Sequence, residues 1–287
     1  MAADPAADGL NHAAVLGSPI SHSLSPRLHH AGYAALGLSN WRYDAHEVTE
    51  PEFAEFVAGL DDSWRGLSLT MPLKEVAFEI ADSVSDIATR AGAINTLIRR
   101  ADGGWDADNT DVHGIIAALA EVQHDGSAVV IGAGATARSA VVALAELGIS
   151  RLAVAARRPQ AGEILVDFAA AQGIHATTVE VGAWATQGAR LVASTVPASA
   201  QTDIVAMSDL NGAAADGVTA AADLSGVTVF DVAYAPWPST LAHVVSSAGG
   251  EAISGLEMLI HQAHRQFELF TGQSVDLSVL RAAVEQP

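Results

Sequence analysis

The chain contains no cysteine, and of its 14 basic residues only Lys74 is a lysine. Disulfides, thiolate catalysis and cysteine-held metal sites are thereby excluded. No apolar run reaches the length needed to cross a bilayer, and the start, Met1 to Leu10, is acidic and lacks a basic leader, so a soluble, cytoplasmic protein is expected. Positive charge is scarce throughout. With a formal charge of -19 there is no basic patch to release counterions, which argues against nucleic acid or an anionic membrane as partner. A small anionic ligand must be held by local cations, hydroxyls or helix N-termini against a repelling global field.

The scarcity of lysine singles out the one that is kept. Arginine stays protonated at any working pH, whereas a lysine can give up and regain a proton when its surroundings tune it. Leu67-Ser68-Leu69-Thr70-Met71-Pro72-Leu73-Lys74 reads as a strand ending in a turn, with Pro72 opening a helix and Lys74 in its first turn. A cation there is disfavoured by roughly 0.3 to 1 kcal/mol, which points to a chemical task; a solvated surface lysine is the plain alternative. Eleven histidines remain as possible metal ligands. The close pairs His29 with His30 and His261 with His264 carry no carboxylate at the spacing of a metal motif. They read as helix-surface histidines, and no metal is expected.

At 287 residues, half of them apolar, the chain has material for two lobes. Strand-like and helix-like segments alternate almost throughout, the pattern of an α/β protein with parallel sheets. Ala13 to Leu16, Trp41 to Val48 and Gly66 to Thr70 read as strands, with helices over Pro26 to Leu36 and Pro51 to Leu60 between them. A hairpin is expected around Asp102-Gly103-Gly104, then a helix from Val112, then a βαβ series from Ser127 to about Gly250. The stretch from Pro197 to Val227 is small and polar, and reads as loop. Gly255 to Thr271 is a helix with Leu256, Leu259, Ile260, Ala263, Phe267 and Phe270 on one face.

Val129-Val130-Ile131 runs straight into Gly132-Ala133-Gly134-Ala135-Thr136-Ala137, a strand, a glycine turn and an alanine-rich helix. In a dinucleotide-binding turn, Gly132 makes the bend, Gly134 admits the pyrophosphate and Ala137 packs helix on strand. The next strand, Arg151 to Ala155, ends in Ala156-Arg157-Arg158, with no carboxylate before Glu163. An arginine pair suits a 2'-phosphate where a carboxylate would hold a ribose hydroxyl, so NADP is the expected cofactor.

Near the start, Ser23 and Ser25 precede Pro26. Ser25 is a candidate N-cap, and the same geometry makes an anion site able to hold a carboxylate. Asp111, before the helix expected from Val112, is equally readable as a cap or as a partner for Lys74.

Gly17 to Pro26, Thr70 to Lys74, Ala91 to Leu97, Asn109 to Asp111, Gly132 to Ala137, Asp231 to Pro236 and Gly255 to Ala263 together resemble the shikimate dehydrogenase family, in order and spacing, over essentially the whole chain. The resemblance implies a two-lobed α/β fold, an N-terminal substrate-binding domain plus a Rossmann-like NADP-binding domain. Boundaries are expected at 1–110, completed by helices within 255–287, and at 111–254. It implies Lys74 and Asp111 as the catalytic pair, with Ser23 and Ser25 on the substrate carboxylate. Thr70, Asn95, Gln262 and Tyr234 would contact the remainder of the substrate. Gly132 through Ala137, Arg157, Arg158, Thr195, Val232 and Gly255 would contact NADP(H).

The implied reaction is reversible reduction of 3-dehydroshikimate to shikimate, by a monomer or homodimer. A quinate or aminoshikimate dehydrogenase of the same fold and a non-catalytic sensor are the alternatives. In relatives that also accept quinate, threonine tends to stand at the position of Ser25. Three departures mark this chain. Ser68 replaces a frequent asparagine, a shorter donor expected to leave room for a water. Ala156-Arg157-Arg158 replaces Asn-Arg-Thr, and Ser194-Thr195-Val196-Pro197 replaces Asn-Ala-Thr.

Overall fold

A computed structural model describes residues 9–208 and 223–285. Residues 1–8 of the acidic start and 209–222 of the expected loop lie outside the described residues. In chain order the first elements are β1 (Asn11–Gly17), α1 (Ser25–Ala35), β2 (Trp41–Glu47), α2 (Glu50–Ala58) and β3 (Trp64–Leu69). There follow β4 (Ser83–Val84), α3 (Asp86–Ala91), β5 (Thr96–Arg99), β6 (Trp105–Asp108) and α4 (Thr110–Leu119). Next come β7 (Ser127–Ile131), α5 (Ala135–Glu146), β8 (Arg151–Ala155), α6 (Pro159–Ala171), β9 (His175–Val179) and β10 (Leu191–Ser194). The last are α7 (Ala198–Met207), β11 (Thr228–Asp231), α8 (Thr240–Ser247), β12 (Glu251–Ser254), α9 (Gly255–Thr271) and α10 (Leu277–Glu285). Among the described residues no helix is long and apolar enough to cross a membrane.

The chain forms two compact units, Met1–Thr110 with Ile260–Pro287, and Asp111–Leu259. In the first, the strand order is β2-β1-β3-β5-β6-β4. β1 runs parallel to both β2 and β3, whereas β5 is antiparallel to β3 and β6. Alternation along β3 sends Leu67 and Leu69 into a core with Leu16, Phe53, Ile94, Leu97 and Trp105. Gly66 and Ser68 face the other way, toward α9, which buries Phe267 and Phe270. α10 packs on α1, and Arg27 Nη2 donates to the Ala283 carbonyl at 2.8 Å.

The second unit has the order β12-β11-β10-β7-β8-β9, with every neighbouring pair parallel. This is the doubly wound arrangement, with its connections reversing direction between β7 and β10. The first unit has the same reversal between β1 and β3. In open α/β sheets ligands bind beyond the carboxyl ends of strands at such a reversal, so each unit has one place where a site is expected.

Several local expectations are corrected. Pro72 does not open an α-helix: residues 71–75 form turns leading into a 3-10 segment, Val76–Glu79. The Lys74 carbonyl accepts from the Ile94 N–H at 2.8 Å, so it is committed to a chain neighbour rather than to a helical ladder. Lys74 therefore does not oppose a helix dipole. Ser25 lies inside α1 and makes no cap bond; Leu24 holds the N-cap position. Asp111 lies within the first turn of α4, which begins at Thr110, so it is not a cap preceding a helix at Val112. α7 occupies part of the expected loop, because Ala200 and Ile204, four residues apart, share a buried face. His29, expected on a helix surface, is 1% exposed.

Candidate active site

The first unit brings its polar residues together at the ends of β1 and β3. Thr70 N–H donates to the Leu16 carbonyl and Ser18 N–H to the Met71 carbonyl, both at 2.9 Å, so the two loops leave the sheet side by side. Leu69 N–H donates to the Asn95 carbonyl at 2.7 Å, which sets Asn95 next to that exit. Lys74 is bonded through its carbonyl to Ile94, the residue before Asn95. Ser23 Oγ accepts from the Ser25 N–H at 3.3 Å, so both serines sit at the start of α1.

Beneath these residues lies a continuous buried array. The Tyr43 hydroxyl donates to Ser68 Oγ at 2.6 Å, and Ser68 Oγ donates to Gln266 Oε1 at 2.8 Å. Gln266 Nε2 donates to Thr96 Oγ1 at 2.9 Å and to the Asn95 carbonyl at 3.2 Å. Asn95 Oδ1 accepts from the Thr110 N–H at 2.7 Å and from Thr96 Oγ1 at 2.8 Å. Thr110 Oγ1 lies 3.4 Å from Gln262 Oε1. At the far end Ser25 is a polar neighbour of Tyr43 and offsets part of the rise that burial imposes on the pKa of its hydroxyl. The expected contacts Asn95 and Gln262 are thus parts of one array, Ser25 stands beside its Tyr43 end, and its connecting members Tyr43, Ser68, Thr96, Thr110 and Gln266 are buried. Ser68 is only 4% exposed and is engaged on both sides by protein partners.

Tyr43 and Gln266 were not anticipated from sequence. Gln266 had a readable signal: it stands four residues after Gln262 on α9 and so shares its helix face. Tyr43 had none, lying mid-strand in the mixed run Trp41-Arg42-Tyr43-Asp44. Its ring stacks on His29 with centroids 3.9 Å apart and planes at 10°. Burial pushes the His29 pKa down to about 3, with His30 adding to the effect, so His29 is a neutral platform for the tyrosine. Burial also raises the Tyr43 pKa, so its hydroxyl stays protonated and acts as a donor.

In the second unit the reversal between β7 and β10 holds a cleft of about 500 Å³. Gly132, Ala133, Gly134, Arg157, Arg158 and Thr195 line it, joined by Ala156, Val181 and Pro197, which sequence reasoning had not singled out. Gly132 has φ +112, a conformation that disfavours any side chain, and a Cβ there would strike Thr195 Oγ1. Thr195 Oγ1 donates to the Ile131 carbonyl at 3.0 Å and thereby closes the floor of the turn. A Cβ on Gly134 would meet no protein atom within 4 Å, so the cradle at the start of α5 is open to a ligand.

Arg157 and Arg158 are exposed on the rim, where a phosphate would be met. These groups fit a phosphorylated dinucleotide: backbone at a helix N-terminus for a pyrophosphate, and guanidinium groups where no carboxylate stands. Ala135, Thr136 and Ala137 belong to the first turn of α5 and do not line the cleft; Ala137 is fully buried packing.

Val232 and Gly255 lie away from that cleft but against each other. A Cβ on Gly255 would collide with the Val232 backbone, so only glycine allows β11 and the start of α9 to approach this closely. Tyr234 follows on the same loop, and partial burial raises its pKa. The loop is anchored by Asp231, whose carboxylate accepts from Gln201 Nε2 at 2.8 Å, Ser239 Oγ at 2.5 Å and the Ala233 N–H at 3.2 Å.

A doubly wound unit with an open glycine turn, carried in one chain with an α/β unit whose switch point is lined by polar groups, is the architecture of the two-domain dehydrogenases that use a nicotinamide dinucleotide. Family models narrow this further: one described as "Shikimate dehydrogenase substrate binding domain" matches residues 15–97, and another, "Shikimate 5'-dehydrogenase C-terminal domain", matches residues 255–285. The curated shikimate dehydrogenase (NADP(+)) of Synechococcus sp. strain JA-2-3B'a(2-13) is 31% identical over 279 residues, covering 94% of this chain and 93% of the relative. The crystal structure of a shikimate 5-dehydrogenase from Mycobacterium fortuitum is 43% identical with a TM-score of 0.83, over 99% of both chains. That of Mycobacterium tuberculosis shikimate dehydrogenase is 38% identical with a TM-score of 0.84, over 96% of this chain and 100% of that one. The chain belongs to the shikimate dehydrogenase family.

Proposed function

We propose that this protein is an NADP-dependent shikimate dehydrogenase that interconverts 3-dehydroshikimate and shikimate, with Lys74 and Asp111 as its catalytic pair. The reading is supported above all by one observation. Asn95 and Gln262, expected to receive ring hydroxyls, are joined through Thr110 in a single buried array, and Ser25, expected to receive the carboxylate, stands beside its Tyr43 end, all in the unit whose sequence matches the family's substrate-binding domain.

When bound, NADPH supplies the hydride for the reduction. Lys74 donates a proton to the carbonyl oxygen at C3 as negative charge collects there, and Asp111 orients the ammonium and an adjacent substrate hydroxyl. Ser23 and Ser25, with the start of α1, receive the carboxylate, a local site made necessary by the protein's charge of -19. Arg157, with Arg158 beside it, meets the 2'-phosphate.

The decisive experiment follows absorbance at 340 nm as purified protein is mixed with NADP+ and shikimate. Reduction of the nucleotide that depends on both protein and shikimate is expected. No reduction, with binding of shikimate retained, would make the protein a sensor instead of an enzyme.

A further inference from the structure

The loop after β11 is pinned by a buried carboxylate on which several donors converge. Asp231 Oδ1 accepts from the Ala233 N–H at 3.2 Å, while its Oδ2 accepts from Gln201 Nε2 at 2.8 Å and from Ser239 Oγ at 2.5 Å. The direction of each bond follows from its chemistry. A backbone N–H only donates, and Gln201 must present Nε2 because its Oε1 is taken by the Leu241 N–H at 3.1 Å. Ser239 Oγ accepts from the Ala242 N–H at 3.0 Å, capping α8, and so gives its own proton to Asp231. Burial raises the Asp231 pKa, and the bonds from Ser239, Ala233 and Gln201 work against that rise. An asparagine of the same shape would have to aim an amide NH2 at one of these donors.

The consequence lies in what the loop carries. Asp231 bonds Ala233 and Ser239, and so bridges the segment Tyr234-Ala235-Pro236-Trp237-Pro238 between them. The Val232 N–H donates to the Ser194 carbonyl at 3.0 Å, and the Gly255 N–H to the Ala233 carbonyl at 3.4 Å. The loop is therefore held at β10 and at the start of α9 by backbone, and at α7 and α8 through Asp231. Val232 and Gly255 lie apart from the cleft of Gly132, Gly134 and Arg157, which suits the pyrophosphate and the 2'-phosphate. What remains for Val232 to meet is the nicotinamide end of the dinucleotide.

We propose that Asp231 is a positioning residue for the nicotinamide half of the cofactor, holding the Val232 loop in its binding position through Ala233 and Ser239, with Gln201 as its brace on α7. It touches no reacting atom. Its contribution is preorganisation: with the loop held before the ligand arrives, less of its freedom is lost on binding. The inference rests on the reading of the protein as NADP-dependent and of Val232 as a cofactor contact.

Calorimetric titration with two ligands tests it, alongside thermal melting of each variant. One ligand is NADP+; the other is adenosine 2',5'-bisphosphate, which carries the 2'-phosphate and lacks the nicotinamide. Asp231→Asn should weaken NADP+ about threefold to tenfold, with binding of the bisphosphate changed less than about twofold. Ser239→Ala frees only the far end of the loop and should weaken NADP+ by about threefold, again sparing the bisphosphate. A purely structural role predicts a lower melting temperature with both affinities intact, and a general disturbance of the unit predicts both weakened alike; either result would overturn the proposal. Should Asp231→Asn fail to fold, Ser239→Ala decides by the same criterion.

Val232→Trp, which adds bulk at the contact itself, keeps the two levels of the argument apart. If it binds NADP+ as the wild type does, the reading of Val232 falls and the proposal with it. A sensitive Val232→Trp beside an indifferent Asp231→Asn removes the positioning role alone. Wild-type protein that does not bind NADP+ would instead remove the cofactor reading underneath.

Discussion

The two units solve the same problem, a ligand site at a sheet reversal, with opposite materials. At the β1/β3 reversal the site is floored by side chains: hydroxyls and amides that are buried and bonded to one another through Tyr43, Ser68 and Gln266. At the β7/β10 reversal it is made of backbone and empty space, Gly132 with φ +112 and Gly134 with nothing near its missing Cβ, with the specific charges Arg157 and Arg158 left exposed on the rim. A small ring with one carboxylate and several hydroxyls needs many polar contacts in fixed places. A dinucleotide needs room for a pyrophosphate and one charged discriminator. The first design makes each residue dependent on its neighbours, whereas the second permits one rim residue to be changed almost alone.

The largest effect should come from breaking the chemistry of the first site without disturbing its array. Lys74→Ala and Asp111→Asn are each expected to lower kcat by roughly 10²-fold or more with a much smaller change in the KM for shikimate, because their interaction grows as charge develops on oxygen. Steady-state kinetics in both directions is the check, and near-normal turnover by Lys74→Ala would remove it from the mechanism.

On the second site the contrast predicts independence. Arg157→Asp should raise the KM for NADPH by about tenfold to a hundredfold and leave the KM for shikimate unchanged, since a charge-assisted bond to phosphate contributes roughly 1.5 to 3 kcal/mol. Arg158→Ala should cost less. An Arg157→Asp enzyme that keeps the wild-type preference for NADP over NAD would show that the rim does not read the phosphate.

The polar site can be sharpened at its carboxylate end. Ser25 has a hydroxyl without a methyl, and the wild type is expected to use shikimate with a kcat/KM at least about tenfold above that for quinate, a difference of roughly 1.4 kcal/mol. Ser25→Thr should narrow that ratio. Equal use of the two substrates by the wild type would mean that Ser25 does not discriminate.

The smallest effect concerns stability. The unfolded chain gains a proton at His29 as pH falls below about 6.5, while the folded protein resists until about 3, so stability declines with falling pH across that window. The slope from this residue is at most about 1.4 kcal/mol per pH unit, and His29→Phe should remove it. Denaturant midpoints of the two proteins between pH 7 and pH 4 make the comparison; parallel curves would show that His29 is not held neutral by the fold.

The same contrast explains what the sequence revealed. Strands and the glycine turn were legible because each depends on local pattern: β7 runs straight into Gly132, and β8 ends at the arginine pair. The array was not, because Tyr43, Ser68 and Gln266 meet only after β2, β3 and α9 are packed, and none looks chemical in its own segment. Gln266 lies 198 residues from the serine it holds. Lys74 was singled out by its rarity, yet the helix expected around it is absent, because its carbonyl is taken by Ile94 from a distant segment. Ser25 was likewise legible as polar and near a helix start, but Tyr43, the polar neighbour it meets in the fold, lies on β2 and gave no sign of it in the sequence.

The burial of Tyr43 has an optical consequence. The chain has three tyrosines, and burial raises the pKa of each, Tyr33, Tyr43 and Tyr234. Phenolate absorbs at longer wavelength than phenol, so in the native protein absorbance in that band rises at higher pH than it does for free tyrosine, which ionises near pH 10. Because the folded state retains these protons after the unfolded chain has released them, stability falls as pH rises above about 10. The phenolate absorbance contributed by Tyr43 is then a label-free signal that its buried ring has reached water, and a Tyr43→Phe protein should give a proportionately smaller final amplitude.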